Sequence, residues 1–238
     1  MIDYKLMHEK MIRFIKENTQ GFNGVVLGLS GGLDSAVVLK LLCDANVKVN
    51  ALLLPTKGSN LKNIEDAKNL CNMLDVYYEI IYIDDILQSF KKITQATGLR
   101  EYNLCSRIRM SILYDYSAKN GFLVAGTTNK SERMLGYGTI YGDLACAFNP
   151  IGDVYKSDLF DFARFLNIPS EIIEKKPSAD FYEGQSDEGD LGYTYFEIDE
   201  CLKGNVKDKV LKDFIEKRVA SNLFKQKMPK ILDFNDIY

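Results

Sequence analysis

The sequence is short of the residues on which much hydrolytic and redox chemistry depends. It has no tryptophan, one histidine (His8) and five cysteines, and no two cysteines form a C-x-x-C pair. The odd cysteine count and the wide spacing favour reduced core residues over a disulfide framework or a zinc site. Because His8 lies far from any glycine-rich loop, we do not expect a catalytic histidine or a Cys-His glutaminase.

Long apolar runs and an excess of positive charge are also missing. No apolar segment reaches the length of a membrane span, and the first residues lack the layout of a signal peptide. The formal net charge is −3, which argues against a broad nucleic-acid footprint. We expect a cytoplasmic enzyme that binds neither membrane nor nucleic acid, with residues 1–238 forming one α/β domain.

A glycine-rich stretch near the N-terminus is the most informative part of the chain. Residues 28–35 read Gly-Leu-Ser-Gly-Gly-Leu-Asp-Ser and lie between an apolar β-branched run and an apolar helical segment. Small residues at a helix N-terminus let backbone N–H groups surround phosphate oxygens, and Asp34 beside those phosphates indicates Mg²⁺. No lysine follows the glycines, so this is not a Walker P-loop, nor is it G-x-G-x-x-G. A plain strand-to-helix turn is the alternative.

Strands and helices alternate through the first half of the chain. The pattern predicts strands at 25–27, 47–54, 76–83 and 121–125, and helices at 3–18, 35–45, 62–74, 84–96 and 103–119. This order predicts an α/β fold, a doubly wound parallel sheet with helices on both faces. Ligands bind beyond the carboxyl ends of such strands, so we expect one crevice lined by the loops after Leu27, Pro55, Ile83 and Ala125.

The segment after the fourth strand offers a second acidic group to that crevice. It reads Gly-Thr-Thr-Asn-Lys-Ser-Glu at 126–132. Asn129 or Ser131 could simply cap the next helix, whereas Glu132 could share a Mg²⁺ ion with Asp34. A long loop over 136–143 follows, and loops of this kind are often functional.

The second half of the chain contains a lysine at a helix entrance and an acidic loop. Lys156 precedes a helix predicted over 157–166, where the helix dipole repels a cation, so either an anion offsets it or the lysine is solvated. Residues 177–193 could be a disordered surface loop or a lid. Helices near 195–203 and 206–222 come next, and a final basic run is either a solvated helix end or a phosphate contact: Lys225, Lys227 and Lys230.

The motifs together resemble a known enzyme family. SGGLDS is similar to the pyrophosphate-binding loop of the N-type ATP pyrophosphatases, which cut ATP between its α- and β-phosphates, but GMP, asparagine and argininosuccinate synthetases and tRNA-modifying relatives share it. The ordered set of N-x-x-x-R-x-R-M, GTTNKSE, GYGTIYGD, NPIGDVYKS, KPSADF and QSDEGDLGYTYFEID resembles ammonia-dependent NAD synthetase along nearly the whole chain.

This resemblance implies roles for particular residues. It implies that Asp34 and Lys156 are catalytic and that Asp34 and Glu132 bind Mg²⁺. The implied ATP-binding residues are Gly28, Leu29, Ser30, Gly31, Gly32, Leu33, Asp34, Ser35, Thr127, Lys156 and Ser178, and the implied deamido-NAD contacts are Arg107 and Lys225. The chain departs from the family pattern at Phe224, where a histidine usually precedes the lysine, and at Ile140 and Ala147, where many relatives have lysine and aspartate.

The resemblance also implies the reaction and the assembly. ATP would adenylate the nicotinate carboxylate of deamido-NAD, and ammonia would then displace AMP to give NAD. A homodimer is implied as well. Two alternatives remain open: another ATP-pyrophosphatase amide synthetase resembling GMP synthetase, and a nucleotide-binding module without catalysis.

Overall fold

The computed structural model describes residues 2–178 and 184–232, and its centre is a parallel sheet of four strands. The strands are β1 (Gly24–Gly28), β2 (Val49–Leu53), β3 (Tyr77–Ile80) and β4 (Phe122–Val124), in the spatial order β3-β2-β1-β4. All neighbours pair in parallel, with Val25 beside Val49 and Leu123, and Asn50 beside Tyr77. Parallel pairing requires crossovers, and helices provide them.

Eleven α-helices and one 3₁₀ helix surround the sheet in the described part of the chain. They are α1 (Tyr4–Thr19), α2 (Leu33–Asp44), α3 (Leu61–Met73), α4 (Asp84–Thr94), α5 (Leu99–Asn120), α6 (Lys130–Leu135), α7 (Lys156–Phe165), α8 (Ser170–Ile173), α9 (Asp187–Leu191), α10 (Tyr195–Leu202), α11 (Lys209–Asn222) and the 3₁₀ helix Leu223–Gln226. None of these described helices has the length and apolarity that a membrane crossing would require.

Side-chain alternation along the buried strands separates two cores. Val25 and Leu27 of β1 pack with α1, α2, α3 and α7 on one face, whereas Val26 packs with α4 and α5 on the other. Helices therefore cover both faces of the sheet, which confirms the predicted doubly wound α/β fold. A third apolar cluster joins α6, α9, α10 and α11 at the C-terminal end.

Element boundaries differ from the predicted ones where local pairing or capping decides them. β3 is an exposed edge strand of four residues, although Ile83 N still donates to Pro55 O at 3.0 Å. Helix α5 begins at Leu99, earlier than predicted, because Gly98 at φ +55° starts it ahead of the apolar periodicity. Helix α9 lies inside the predicted loop 177–193, and residues 179–183 of that loop lie outside the described residues.

The glycine-rich loop packs tightly on α3 at Gly31. Its backbone has φ +80°, and a Cβ there would lie 2.0 Å from the carbonyl oxygen of Asn63. Lys175 Nζ donates to Gly31 O at 2.9 Å and forms an ion pair with the buried Asp66 carboxylate at 2.5 Å. The loop is therefore fixed on both sides by α3 and by the segment that follows α8.

Substituting alanine for this glycine tests the close approach. We expect Gly31→Ala to lower the free energy of unfolding by about 3 kcal/mol or more, since it adds a clash with backbone to the cost of a positive φ. Gly21→Ala is the matched control, because Gly21 has φ +88° and a Cβ added there would meet nothing within 4 Å. Urea denaturation measures both variants, and equal losses would contradict the close approach.

Candidate active site

The carboxyl ends of β1, β2 and β4 open into a crevice of about 530 Å³. The loops after Gly28, Pro55 and Ala125 line it, as expected for a doubly wound sheet. The prediction that the loop after Ile83 also lines it is wrong for the described chain. Helix α4 begins directly at Asp84, whose carboxylate instead accepts from Lys57 N at 3.1 Å.

Several helices begin at this crevice, and three of them bring charged side chains of their first turns together. Asp34 lies in the first turn of α2, Glu132 in that of α6, and Lys156 is the first residue of α7. Carboxylates are favoured at helix N-termini, while a cation there is opposed by the dipole. Lys156 therefore needs neighbouring anions, and the structure provides both carboxylates.

The Lys156 ammonium lies between the two acids. Its Nζ forms a short ion pair with Asp34 Oδ2 and is 3.7 Å from Glu132 Oε1. Lys156 is only 3% exposed, so the solvated-lysine alternative is wrong. Burial by itself lowers the pKa of Lys156, but the Asp34 and Glu132 charges outweigh it and raise the pKa above its ordinary value.

Asn129 has a capping role and a site role at once. Its side-chain oxygen accepts from Glu132 N at 3.0 Å while Glu132 Oε2 accepts from Asn129 N at 3.2 Å, which is a capping box. Its Nδ2 also donates to Asp34 Oδ1 at 2.8 Å. The cap predicted for α6 therefore also orients the carboxylate of Asp34.

Sequence reasoning missed the residue that holds the start of α7. Asp199, fully buried in α10, accepts from Ser157 N at 2.8 Å and forms a short hydrogen bond with Ser131 Oγ. Ser131 Oγ in turn accepts from Lys156 N at 2.9 Å. The motif QSDEGDLGYTYFEID ends at Asp199, but neither the motif nor the apolar spacing of α10 indicates which groups this acid contacts.

All but one of the glycine-rich loop residues named as ATP contacts line the crevice. Gly28, Leu29, Ser30, Gly32, Leu33, Asp34 and Ser35 line the crevice, whereas Gly31 faces α3 instead. No side chain caps α2 within the described residues, so its first backbone N–H groups can bind an anion at this end of the crevice. Ser35 Oγ donates to Gly32 O at 3.1 Å, which closes the loop on itself.

The remaining predicted residues divide into two groups. Thr127, Ser178 and Lys225 line the crevice; Ser178 Oγ donates to Gln185 Oε1 at 2.6 Å, and Lys225 Nζ donates to Gly136 O at 2.8 Å. Arg107 is exposed and lies outside the lining, with Nε donating to Ile140 O at 3.3 Å.

Arg109, two residues further along the same motif, does line the crevice and donates to Leu54 O at 2.9 Å. Ala147 is exposed and, like Ile140, is not part of the crevice lining in the described chain. Lys227 and Lys230 are not part of that lining either, so of the basic run only Lys225 reaches the crevice among the described residues.

None of the five cysteines has the lowered pKa of a reactive thiol, although only Cys71 and Cys105 are well buried. All five are free, and burial raises the pKa of each, to about 11 for Cys43 and about 12 for Cys71. A nucleophilic cysteine needs a lowered pKa. His8 lies on α1 and contacts Asp44 at 2.9 Å, away from the crevice.

One ammonium cannot neutralise two buried carboxylates, and the pKa of Glu132 is raised as a result. Burial, and then the Asp34 charge, raise the pKa of Glu132 to about 8. A carboxyl whose folded-state pKa is raised holds a proton that the unfolded chain releases. Its contribution to stability is therefore present below the ordinary pKa of 4.5 and is lost as the pH rises toward 8.

Replacing this acid should consequently stabilise the free protein at high pH. We expect Glu132→Gln to gain on the wild type by a few kcal/mol between about pH 5 and pH 8, measured as the difference in unfolding free energy. Glu101→Gln is the control, because it removes a part-exposed ion pair with Lys91 at 2.6 Å. A difference for Glu132→Gln that does not change with pH would contradict the shared-lysine electrostatics.

Comparison with known proteins places this geometry in a family. Residues 7–234 match the model of the family described as NAD synthase. The NH₃-dependent NAD⁺ synthetase of Campylobacter jejuni is 50% identical, over 98% of this chain and 100% of that protein. A solved structure of the C. jejuni enzyme with nitrate superposes with TM-score 0.85 at 45% identity, covering 98% of this chain and 100% of that one.

A second solved structure superposes more closely at lower identity. It is NMN synthetase from Francisella tularensis, with TM-score 0.93 and 31% identity, covering 98% of this chain and 100% of that one. The family match spans nearly the whole chain and includes the glycine-rich loop, the two acids and the other described residues that line the crevice. The chain belongs to the NAD synthase family.

Proposed function

We propose that this chain is an ammonia-dependent NAD synthetase. The nicotinate carboxylate of deamido-NAD attacks the α-phosphorus of ATP and pyrophosphate departs; ammonia then attacks the acyl carbon and AMP leaves with the bonding electrons, giving NAD. The observation that carries the proposal is the buried Lys156 between Asp34 and Glu132, beside the glycine-rich loop. No protein nucleophile is required.

The loop and Lys156 supply the electrostatics of the first step. The N-terminal N–H groups of α2 bind phosphate oxygens, and Lys156 stabilises the negative charge that moves onto departing pyrophosphate. Thr127 and Ser178 lie on the same crevice with hydroxyls for ATP. Asp34 holds Lys156, and Asn129 holds Asp34, before ATP binds. The site therefore needs little reorganisation during the reaction.

Magnesium fits the donor set. Asp34 and Glu132 offer carboxylate oxygens only, which suit a hard cation that completes its shell with phosphates and water. Because burial and the Asp34 charge outweigh the single lysine, the pKa of Glu132 is raised to about 8, and a bound cation would supply the second positive charge that lets Glu132 ionise. Bound there, Mg²⁺ would neutralise charge on the phosphates of ATP. We assign both acids as its ligands.

The second substrate and the nitrogen donor follow from the rest of the crevice. We assign to deamido-NAD both Lys225, which lines the crevice, and Arg107, which is exposed and lies outside the lining. Free ammonia is proposed as donor, since all five thiols have raised pKa values and none suits a glutaminase. We also propose a homodimer, acting in the reducing cytoplasm where free thiols persist.

A mononucleotide substrate is the second candidate. The closer superposition is on NMN synthetase, and Arg107, Ile140 and Ala147 lie outside the crevice lining. A deamidated mononucleotide carries the same reacting carboxylate, so the same residues would adenylate it. The two candidates differ only in how much nucleotide lies beyond the reacting ring.

Removing the Asp34 charge tests the site. We expect Asp34→Asn to lower kcat about 10²–10³-fold, as loss of a charge-stabilising group at a reacting centre does. Asp44→Asn is the matched control, since Asp44 lies at the opposite end of α2 and pairs with Lys40 and His8. Pyrophosphate release at varied Mg²⁺ measures both, and near wild-type turnover in Asp34→Asn would remove the metal assignment.

A substrate panel tests the reaction itself. With ATP, Mg²⁺ and ammonium chloride, we expect deamido-NAD to be converted to NAD with a higher kcat/KM than nicotinate mononucleotide. Replacing ammonium by glutamine should abolish product. A higher kcat/KM for the mononucleotide would favour the second candidate, and efficient use of glutamine by the pure chain would contradict the proposed donor.

A further inference from the structure

Arg218 is a cation on the crevice wall without a counter-ion among the described residues. It lies on α11 and lines the crevice, and its buried Nε has no hydrogen-bond partner within residues 2–178 and 184–232. Its guanidinium is 5.8 Å above the ring of Tyr137. Burying a charged donor unpaired costs free energy, which a ligand could restore.

The wall that carries Arg218 is tightly built. Helix α11 approaches the backbone at Gly136, where α6 ends, so closely that a Cβ on Gly136 would lie 2.2 Å from Asn222 Cβ. Lys225 Nζ donates to Gly136 O at 2.8 Å and to Gly138 O at 3.0 Å. Arg218 is therefore mounted on a helix that is fixed against the loop beside Glu132.

A second cation next to it strengthens the case for an anion. Burial lowers the pKa of Lys225, and the Arg218 charge lowers it further. Asp143, whose charge raises the pKa of Lys225 in part, accepts from Thr139 N at 3.0 Å. Asp187 Oδ1 and Asp190 Oδ2 both accept from Tyr137 Oη at 3.1 Å. Neither Arg218 nor Lys225 forms an ion pair with an acid among the described residues, so the two cations favour an external anion.

We infer that Arg218 binds an oxyanion of the deamidated pyridine nucleotide, either its carboxylate or a phosphate; this inference rests on the proposed function. The planar fork of arginine suits both groups, because each offers two oxygens to parallel N–H donors. ATP has its own partners at the loop and Lys156, whereas Arg218 faces the wall made by Gly136 and Tyr137. The ligand is thus the second substrate.

Binding of two nucleotides that differ only in the carboxylate tests the inference. Calorimetric titration of the whole chain, without ATP or ammonia, compares deamido-NAD with NAD for the wild type, Arg218→Gln and Arg218→Lys. We expect Arg218→Gln to weaken deamido-NAD binding about ten- to a hundredfold, as loss of a charge-assisted bidentate pair does. Arg218→Lys keeps the charge without the fork and should lose less.

The pattern across the two nucleotides identifies the group. Equal weakening of NAD and deamido-NAD assigns a phosphate, and weakening of deamido-NAD alone assigns the carboxylate. Lys217→Gln, one residue away and exposed, is the control and should bind both as the wild type does. Affinity within about twofold of the wild type in Arg218→Gln, or an equal loss in Lys217→Gln, would overturn the inference.

Steady-state kinetics separate this inference from the proposed function. We expect Arg218→Gln to raise KM for deamido-NAD while leaving KM for ATP unchanged, which a general loss of structure would not do. A raised KM for ATP alone would overturn the inference. Wild-type protein that binds deamido-NAD through Arg218 but forms no NAD would contradict the proposed function alone.

Discussion

The site depends on one buried ammonium that two carboxylates share. Lys156 is held by Asp34 and Glu132 where water is nearly excluded. Because one ammonium cannot balance both acids, burial and the Asp34 charge raise the pKa of Glu132 to about 8. Breaking a buried ion pair is costly, so the three side chains constrain one another. The same imbalance favours a bound hard cation, which would balance the second acid beside the phosphates of the proposed substrate.

The fold turns this electrostatic constraint into geometry. Parallel strands end at one edge, and the helices that begin there carry Asp34, Glu132 and Lys156 in their first turns. Each helix start is then fixed by a partner from another element. Asn129 reaches across to Asp34, and Asp199 from α10 holds the start of α7. The C-terminal helices therefore support the chemistry of the sheet edge as well as covering it.

Periodicity and motif spacing were enough to predict the doubly wound sheet and the loop, because those features depend on local patterns. The sequence also indicated Asp34, Glu132 and Lys156 as site residues, and these three lie together in the structure. It could not show that Lys156 is buried between the acids, since that contact spans 122 positions of the chain. Asp199 and Arg218 were missed for the same reason: their roles arise only when the C-terminal helices pack on the crevice.

The motif that names two arginines illustrates the limit more sharply. Arg107 and Arg109 lie on one helix, and only the three-dimensional packing reveals that Arg109 faces the crevice while Arg107 is exposed. Gly31 is similar, because its lack of a side chain allows the close contact with Asn63, and Gly31 does not line the crevice. Motif spacing identifies such residues, but only the packing decides which of them face the crevice.

The central claim is that Asp34 and Glu132 hold a metal ion against the phosphates bound by the glycine-rich loop. Anomalous diffraction from crystals grown with Mn²⁺ and a non-hydrolysable ATP analogue measures this most directly. The account predicts one manganese peak within bonding distance of both carboxylates and of phosphate oxygens at the start of α2. A peak away from either acid, or a triphosphate bound elsewhere in the crevice, would contradict it.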